Sequence, residues 1–276
     1  MQVRVTILVE NTTPMPNLIG EYGFACLVNV DGRDILFDTG SSRALLANSR
    51  ALGIDLGRIG EVFVSHGHYD HTGALLPLLQ EHGPKRIYAH PHFLFPKMTT
   101  LKNGRIKEIG TPFAQSQMEE AGAEFILEDS FTSIGSGLFV SGEIPRLNDF
   151  EDVGGNFKVE MHGKVEDDPL TDEMVLIIDH PQGLIIISGC GHAGLINILN
   201  HAMLMTGKEK VLAYIGGTHL MTASAQRLER TIAALQTYNI DRLIVAHCTG
   251  FYAAARLYCE MGDMVVKGET GMAFEF

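Results

Sequence analysis

The stretch EVFVSHGHYDHTGALLPLL (residues 61–79) sets the frame for the whole chain. Val62, Phe63 and Val64 form a short apolar run that predicts a buried strand. His66, His68, Asp70 and His71 then arrive within six residues. Leu75, Leu76, Leu78 and Leu79 follow at a spacing that predicts a helix packed on a sheet. A strand, a donor-rich turn and a helix make a good frame for a metal site, because the strand fixes where the turn begins and the helix fixes where it leaves.

Side chains two apart at the end of a strand point the same way, so His66 and His68 are expected to approach one ion together. Asp70 and His71 are neighbours and point apart, which suits a second ion nearby. Neutral imidazole and carboxylate are ligands for zinc first, with iron or manganese as the other choices. Gly67 is expected to remove a side chain where the backbone passes close to the metal.

Outward from this stretch, 276 residues with 45% hydrophobic content can bury one large α/β core. No apolar run is long enough for a membrane helix, and MQVRVTILVE reads as a strand, not a signal peptide. The net charge of −12 disfavours a nucleic-acid backbone as partner. Cys26, Cys190, Cys248 and Cys259 show no CxxC pairing and read as thiols of a cytoplasmic protein. The expected partner is a small-molecule substrate, with homo-oligomerisation left open.

Residues 23–30 and 34–38 predict a hairpin around Asp31-Gly32. Asp38 ends an apolar strand, so its carboxylate needs buried partners; capping the helix that runs to Leu52 is the other use for it. Residues 91–112, with Phe93, Phe95, Lys97, Lys102 and Arg105, read as an irregular segment that either covers an anionic substrate or lies on the surface. Arg146 is expected to bind a substrate phosphate or carboxylate, or to pair with Glu143. Residues 148–172 read as a long acidic excursion. A second hairpin spans 173–179 and 183–188. Three histidines then follow strands through small-residue turns: His192, His219 and His247. Strand ends of this kind are where α/β proteins place ligands. Two similarly built βα halves predict an α/β (α+β) fold, a four-layer αββα sandwich formed as a single domain over residues 1–276.

The motif H-G-H-Y-D-H resembles the HxHxDH signature of the metallo-β-lactamase superfamily. ILFDTG (35–40) and IVAHCT (244–249) look like its further landmarks in the right order. SGCGHAGLINIL (188–199), GGTHL (216–220), HCTG (247–250) and GEIPR (142–146) are similar to one subfamily, described as 7,8-dihydropterin-6-methyl-4-(β-D-ribofuranosyl)-aminobenzene-5′-phosphate synthase-like. The resemblance implies metal ligation by His66, His68, Asp70, His71, His192 and His247. Asp38 would stand behind the ligands. Cys190 falls near the place of the superfamily's bridging Asp, and is read as a small buried residue behind the ligands. The departure leaves the number of ions at one or two, with Asp168 or Asp172 as substitutes from the preceding loop.

The ligand set itself points to a metal-dependent hydrolase, with zinc lowering the pKa of a bound water to about 7 for attack on an ester or phosphoester. Asp70 would orient the nucleophile, and His219 would serve as acid or hydrogen-bond partner. The subfamily resemblance implies instead a synthase or transferase that joins a pterin to a ribofuranosyl-aminobenzene phosphate. A non-catalytic metal-bound sensor is a third reading. A di-iron redox protein is disfavoured, because His68 stands where such proteins carry an acid.

Overall fold

Valine and isoleucine are stiff at χ1 and pack well on a pleated surface, and the strand-forming runs are rich in them. VRVTILV, LIIDH and GLIIIS are such runs, and almost every residue in them is buried. The structure is a computed structural model and describes residues 1–101 and 103–276. In chain order the strands are β1 (Val3–Val9), β2 (Ala25–Val30), β3 (Arg33–Phe37), β4 (Glu61–Phe63), β5 (Lys85–Ala89), β6 (Lys97–Thr100), β7 (Ile106–Glu108), β8 (Ala123–Leu127), β9 (Thr132–Gly135), β10 (Leu138–Val140), β11 (Phe157–Met161), β12 (Lys164–Asp167), β13 (Leu176–His180), β14 (Gly183–Ser188), β15 (Lys210–Gly216), β16 (Asn239–Val245), β17 (Val265–Lys267) and β18 (Ala273–Glu275). The helices are α1 (Ala44–Ala51), α2 (Tyr69–Thr72), α3 (Leu75–His82), α4 (Gln115–Glu120), α5 (Leu195–Thr206), α6 (Ala225–Leu235) and α7 (Phe251–Met261).

The chain folds as two units. The first comprises Met1–Glu128, Asn156–Asp172 and Glu269–Phe276. Its main sheet has the order β18-β1-β2-β3-β4-β5-β8. β3, β4, β5 and β8 run parallel, with Phe37 opposite Phe63 and Phe63 opposite Tyr88. Leu45, Leu75 and Leu79 from the helices pack with Leu36, Val62 and Ile87 of the sheet in one apolar cluster. A smaller sheet of the same unit, β12-β11-β6-β7, comes from segments read from sequence as irregular. Its β11–β12 hairpin turns through His162 and Gly163, both at positive φ (52° and 74°). A His-Gly pair is a weaker turn signal than Asn-Gly, and the flanking strands are largely exposed, so no strong apolar alternation marked them. Lys102 lies outside the described residues.

The second unit comprises Asp129–Gly155 and Glu173–Gly268. Its sheet has the order β17-β16-β15-β14-β13-β10-β9, and β14 to β17 are parallel. α5, α6 and α7 make the three connections between those parallel strands. Their buried faces, among them Leu195, Leu199, Leu228, Ile232 and Leu257, close on Ile186, Tyr214 and Leu243. Each unit thus supplies a sheet and the helices that cover it, and each has parallel strands whose carboxyl ends carry polar loops.

Candidate metal centre

In the first unit, β4 delivers the chain into Ser65, His66 and His68, all buried. α2 then carries Asp70 and His71, also buried. The His66 ring centroid lies 4.6 Å from that of His68 and 4.3 Å from that of His71. His66 Nε2 and His68 Nδ1 are 3.1 Å apart. Two imidazole nitrogens this close either share a proton or face a common cation. His71 Nε2 stands 3.9 Å from Asp70 Oδ2, so the helical turn brings together two side chains that an extended backbone would part.

The tautomers follow from the groups behind the rings. Asp38, fully buried, accepts from Ser65 N and Ser65 Oγ at 2.7 Å each and from His71 Nδ1 at 2.7 Å. The Ser65 hydroxyl, having donated its proton to Asp38, accepts from His66 Nδ1 at 2.9 Å. His66 and His71 therefore carry their protons on Nδ1 and keep Nε2 as a lone pair. A carboxylate behind a ligand imidazole fixes its tautomer and raises its basicity. Burial, reinforced by the Lys97 charge and only partly offset by Asp70 and Asp172, pushes the His68 pKa down to about 3. The ring is neutral at pH 7, as ligation requires. This donor set fits a divalent cation of the zinc type.

A second support reaches the same loop. Gly67 N donates to Asp172 Oδ2 at 2.8 Å. Lys97 Nζ bridges Asp172 Oδ1 at 2.9 Å and Asp168 Oδ2 at 2.8 Å, with all three side chains almost wholly buried. Burial alone would raise the Asp172 pKa, but Lys97 and the Gly67 N–H overcome it and hold the carboxyl below its ordinary value. Asp168 and Asp172, expected as stand-ins for a bridging carboxylate, are thus engaged with a lysine and a backbone amide. Glycine at position 67 is also required by the protein itself: a Cβ there would lie 1.8 Å from the Phe93 carbonyl oxygen, in the 90–93 turn.

In the second unit the donors follow three neighbouring parallel strands. β14 leads to Cys190 and His192, β15 to His219, and β16 to His247. Cys190, His192 and His219 each offer one ligand atom, and these atoms lie within 4.8 Å of one another. The His192 and His219 ring centroids are 4.1 Å apart. His192 Nδ1 donates to the Val153 carbonyl at 2.8 Å, which leaves Nε2 as its lone pair. Its backbone N–H donates to Glu173 at 2.7 Å, and that of Ala193 to the same carboxylate. Burial raises the Glu173 pKa, against the pull of those amides and of Arg146. The thiol of Cys248 donates to the Cys190 carbonyl at 3.0 Å.

Backbone strain marks the donors. His219 and His247 have φ of 47° and 52°, and Asp38 has 56°. Non-glycine residues in this region cost energy and cluster at functional sites. Gly154 packs against the His219 ring so closely that a Cβ would lie 2.0 Å from its Nδ1. The loop carrying Val153 and Gly154 is clamped by α6 and the turn before it: the guanidinium of Arg227, itself buried, donates to Asp152, and Thr222 Oγ1 donates to the Gly154 carbonyl at 2.9 Å.

The half-buried Arg146 donates from Nη1 to the His192 carbonyl at 2.5 Å. The helix after Asp38 begins from Arg43, and Asp38 faces the histidines instead. Ser65, Lys97, Glu173, the Val153 carbonyl and Arg227 support the donors and were not anticipated. Ser65 alone sat beside the motif; the others act over 19 or more residues of sequence separation, where no local spacing signals them.

A family model described as the metallo-beta-lactamase superfamily matches residues 18–247. A 7,8-dihydropterin-6-methyl-4-(beta-D-ribofuranosyl)-aminobenzene-5′-phosphate synthase of Methanocaldococcus jannaschii is 31% identical over 266 residues, covering 93% of this chain and 90% of the relative. Among solved structures, Tm1679, described as a metal-dependent hydrolase of the beta-lactamase superfamily, is 28% identical with a TM-score of 0.85 and 99% coverage of both chains. The zinc-bound PqqB of Methylobacterium extorquens, at 15% identity and a TM-score of 0.59 over 98% of this chain and 99% of that one, shares the fold. The mixed sheets flanked by helices are thus the α/β sandwich arrangement expected from sequence. With its signature histidines, its buried Asp38 and a family match across most of its length, the chain belongs to the metallo-β-lactamase superfamily.

Proposed function

We propose that this protein is a metal-dependent synthase that joins a 7,8-dihydropterin to a ribofuranosyl-aminobenzene phosphate. The observation that carries the metal requirement is the set of buried imidazoles whose Nδ1 protons are tied back by Ser65, Asp38 and Val153. The reaction class is supported by the 31% identical relative, which aligns over nearly the whole chain. His66, His68, Asp70 and His71 of the first unit and His192 and His247 of the second are assigned to divalent-metal binding, one or two ions in all. When bound, such cations, zinc foremost and iron or manganese as alternatives, supply Lewis-acid charge.

The reaction we assign forms a C–N bond between the aromatic amine and the exocyclic carbon of the pterin and breaks the C–O bond to a pyrophosphate leaving group. Asp70 accepts a hydrogen bond from the amine and orients it. His219 takes up the proton that the amine loses. Arg146, half-buried beside the His192 turn, is assigned to the substrate phosphate, for which a guanidinium is well shaped. Cys190 packs behind the donors as a small side chain. The four thiols suit a cytoplasmic, reducing setting. No helix among the described residues is long and apolar enough to cross a membrane.

Hydrolysis of an ester or phosphoester is the second reading, favoured by the same donor set and by the description of Tm1679. One assay separates them. The metal-loaded protein is given a dihydropterin pyrophosphate with the aminobenzene phosphate, and in parallel a panel of phosphodiesters. Metal-dependent condensation with pyrophosphate release is expected. Phosphodiester cleavage without condensation would establish the hydrolase instead.

A further inference from the structure

The first unit holds a cavity of about 630 Å³ beside the histidine loop. We propose that this cavity binds the pterin half of the substrate: a neutral, planar heterocycle that presents an edge of N–H donors. The proposal rests on the synthase reading and assigns one substrate half to one place.

Position is the first argument. Tyr69, which lines the cavity, stands between His68 and Asp70 in sequence. Its N–H donates to the Ile109 carbonyl at 2.9 Å, and His68 forms a β-bridge with Gly110. The cavity wall and the donor loop are therefore one hydrogen-bonded structure. A ligand seated on this wall lies next to the candidate metal ligands.

Charge is the second argument, and it selects between the substrate's two halves. The wall carries Lys97 and Lys107, which at first sight suit a phosphate. Lys97, however, is already held by Asp168 and Asp172 at 2.8 and 2.9 Å. The Lys107 ammonium lies 4.8 Å from the centroid of the Tyr69 ring. Glu108 and Glu160 also line the cavity, and among the described residues neither is in an ion pair. Two ammonium groups and two carboxylates line the cavity, and Asp168 and Asp172 stand behind Lys97. A phosphate entering here meets a Lys97 already neutralised by its two aspartates and the carboxylates of Glu108 and Glu160, which repel it. A neutral heterocycle meets none of that cost, and its N–H groups have carboxylate acceptors, the stronger kind of hydrogen-bond partner.

Shape is the third. Phe95, Leu94, Met98 and Pro112 give the cavity apolar surface for a flat ring. The volume falls within the range of roughly 300–1,000 Å³ typical of small-molecule sites. The 91–112 segment, read from sequence as covering an anionic substrate or lying on the surface, supplies the β6–β7 wall of this cavity; on the present proposal the ligand there is neutral.

The test is fluorescence titration of the zinc-loaded protein with 6-methyl-7,8-dihydropterin under anaerobic conditions, in wild type and in the double variant Glu108→Gln/Glu160→Gln. Both residues are exposed strand positions, so the unfolding midpoint of the variant is expected to match wild type. The pterin Kd is expected to rise about tenfold or more in the variant. Ribose 5-phosphate is expected not to displace the pterin from wild type. Equal pterin binding by wild type and variant would overturn the cavity assignment while leaving the synthase reading intact. Displacement by ribose 5-phosphate, with tighter sugar-phosphate binding in the variant, would assign the cavity to the other half and also overturn the proposal. Failure of wild type to bind the pterin at all would remove both this proposal and the synthase reading.

Discussion

The two units carry their histidines by opposite means. In the first, four donors sit within residues 66–71 and are fixed by side chains: Asp38 and Ser65 behind the rings, Asp172 and Lys97 behind the loop. In the second, Cys190, His192, His219 and His247 come from three strand ends and are fixed largely by backbone: the Val153 carbonyl, the amides that bind Glu173, and left-handed φ at His219 and His247. A contiguous donor set held by side chains is readable from sequence and vulnerable to single substitutions. A dispersed set held by main chain is harder to read and harder to break.

Substitutions can strain that contrast, beginning with the donors themselves. His68→Ala or Asp70→Ala is expected to cut turnover by about a thousandfold, roughly 4 kcal/mol of barrier, while thermal unfolding stays cooperative. Near-full activity in either variant would remove the first unit from the chemistry. Lys97→Met leaves Asp168 and Asp172 buried without their cation and is expected to cost about 3–5 kcal/mol of stability, read by urea unfolding. A loss below about 1 kcal/mol would mean that the buried trio contributes little. Asp38→Asn is expected to weaken metal affinity by about 10–100-fold in a chelator competition, since an amide turned to serve Ser65 cannot also accept fully from His71.

The acid limb of stability probes His68. Its folded pKa of about 3 lies below the value of about 6.5 expected when unfolded. Between those values the unfolded chain takes up a proton that the folded chain refuses. The metal-free protein should therefore lose about 1.4 kcal/mol per pH unit from this group as pH falls from about 6.5 towards 3. Asp172, depressed by Lys97 and Gly67, adds loss in the same direction as pH falls below about 3.9. His68→Gln should flatten the upper part of that slope, and an unchanged slope would assign it elsewhere. The smallest effect is expected in the second unit. Arg227→Met loosens the loop that brings Val153 to His192 and should lower kcat about tenfold, with metal content unchanged. A loss as large as that of His68→Ala would erase the contrast between the units.

What the sequence revealed follows local pattern in both units. The donor motif, the Asp31-Gly32 hairpin, the β13–β14 hairpin and the strand-end histidines all rest on local patterns: spacing, turn residues and apolar runs. The β11–β12 hairpin escaped because its strands are mostly exposed and its turn is His162-Gly163. Lys97 looked like one more basic residue in an irregular segment, because its partners lie 71 and 75 residues away. Charge pairing across such separations leaves no periodicity to read. Gly67 is expected from sequence to lie close to a metal; the neighbour that requires glycine in the fold, the Phe93 carbonyl, comes from a turn that only the fold brings near.

Metal content tests the central claim most directly. Wild type and the double variant His66→Ala/His68→Ala would be expressed identically, loaded with zinc, dialysed and measured by elemental analysis. About one to two ions per chain in wild type, with the His66–His68 ion missing from the variant, is the expected result. Wild type that retains no more zinc than the variant would contradict the metal-dependent reading on which the proposed chemistry stands.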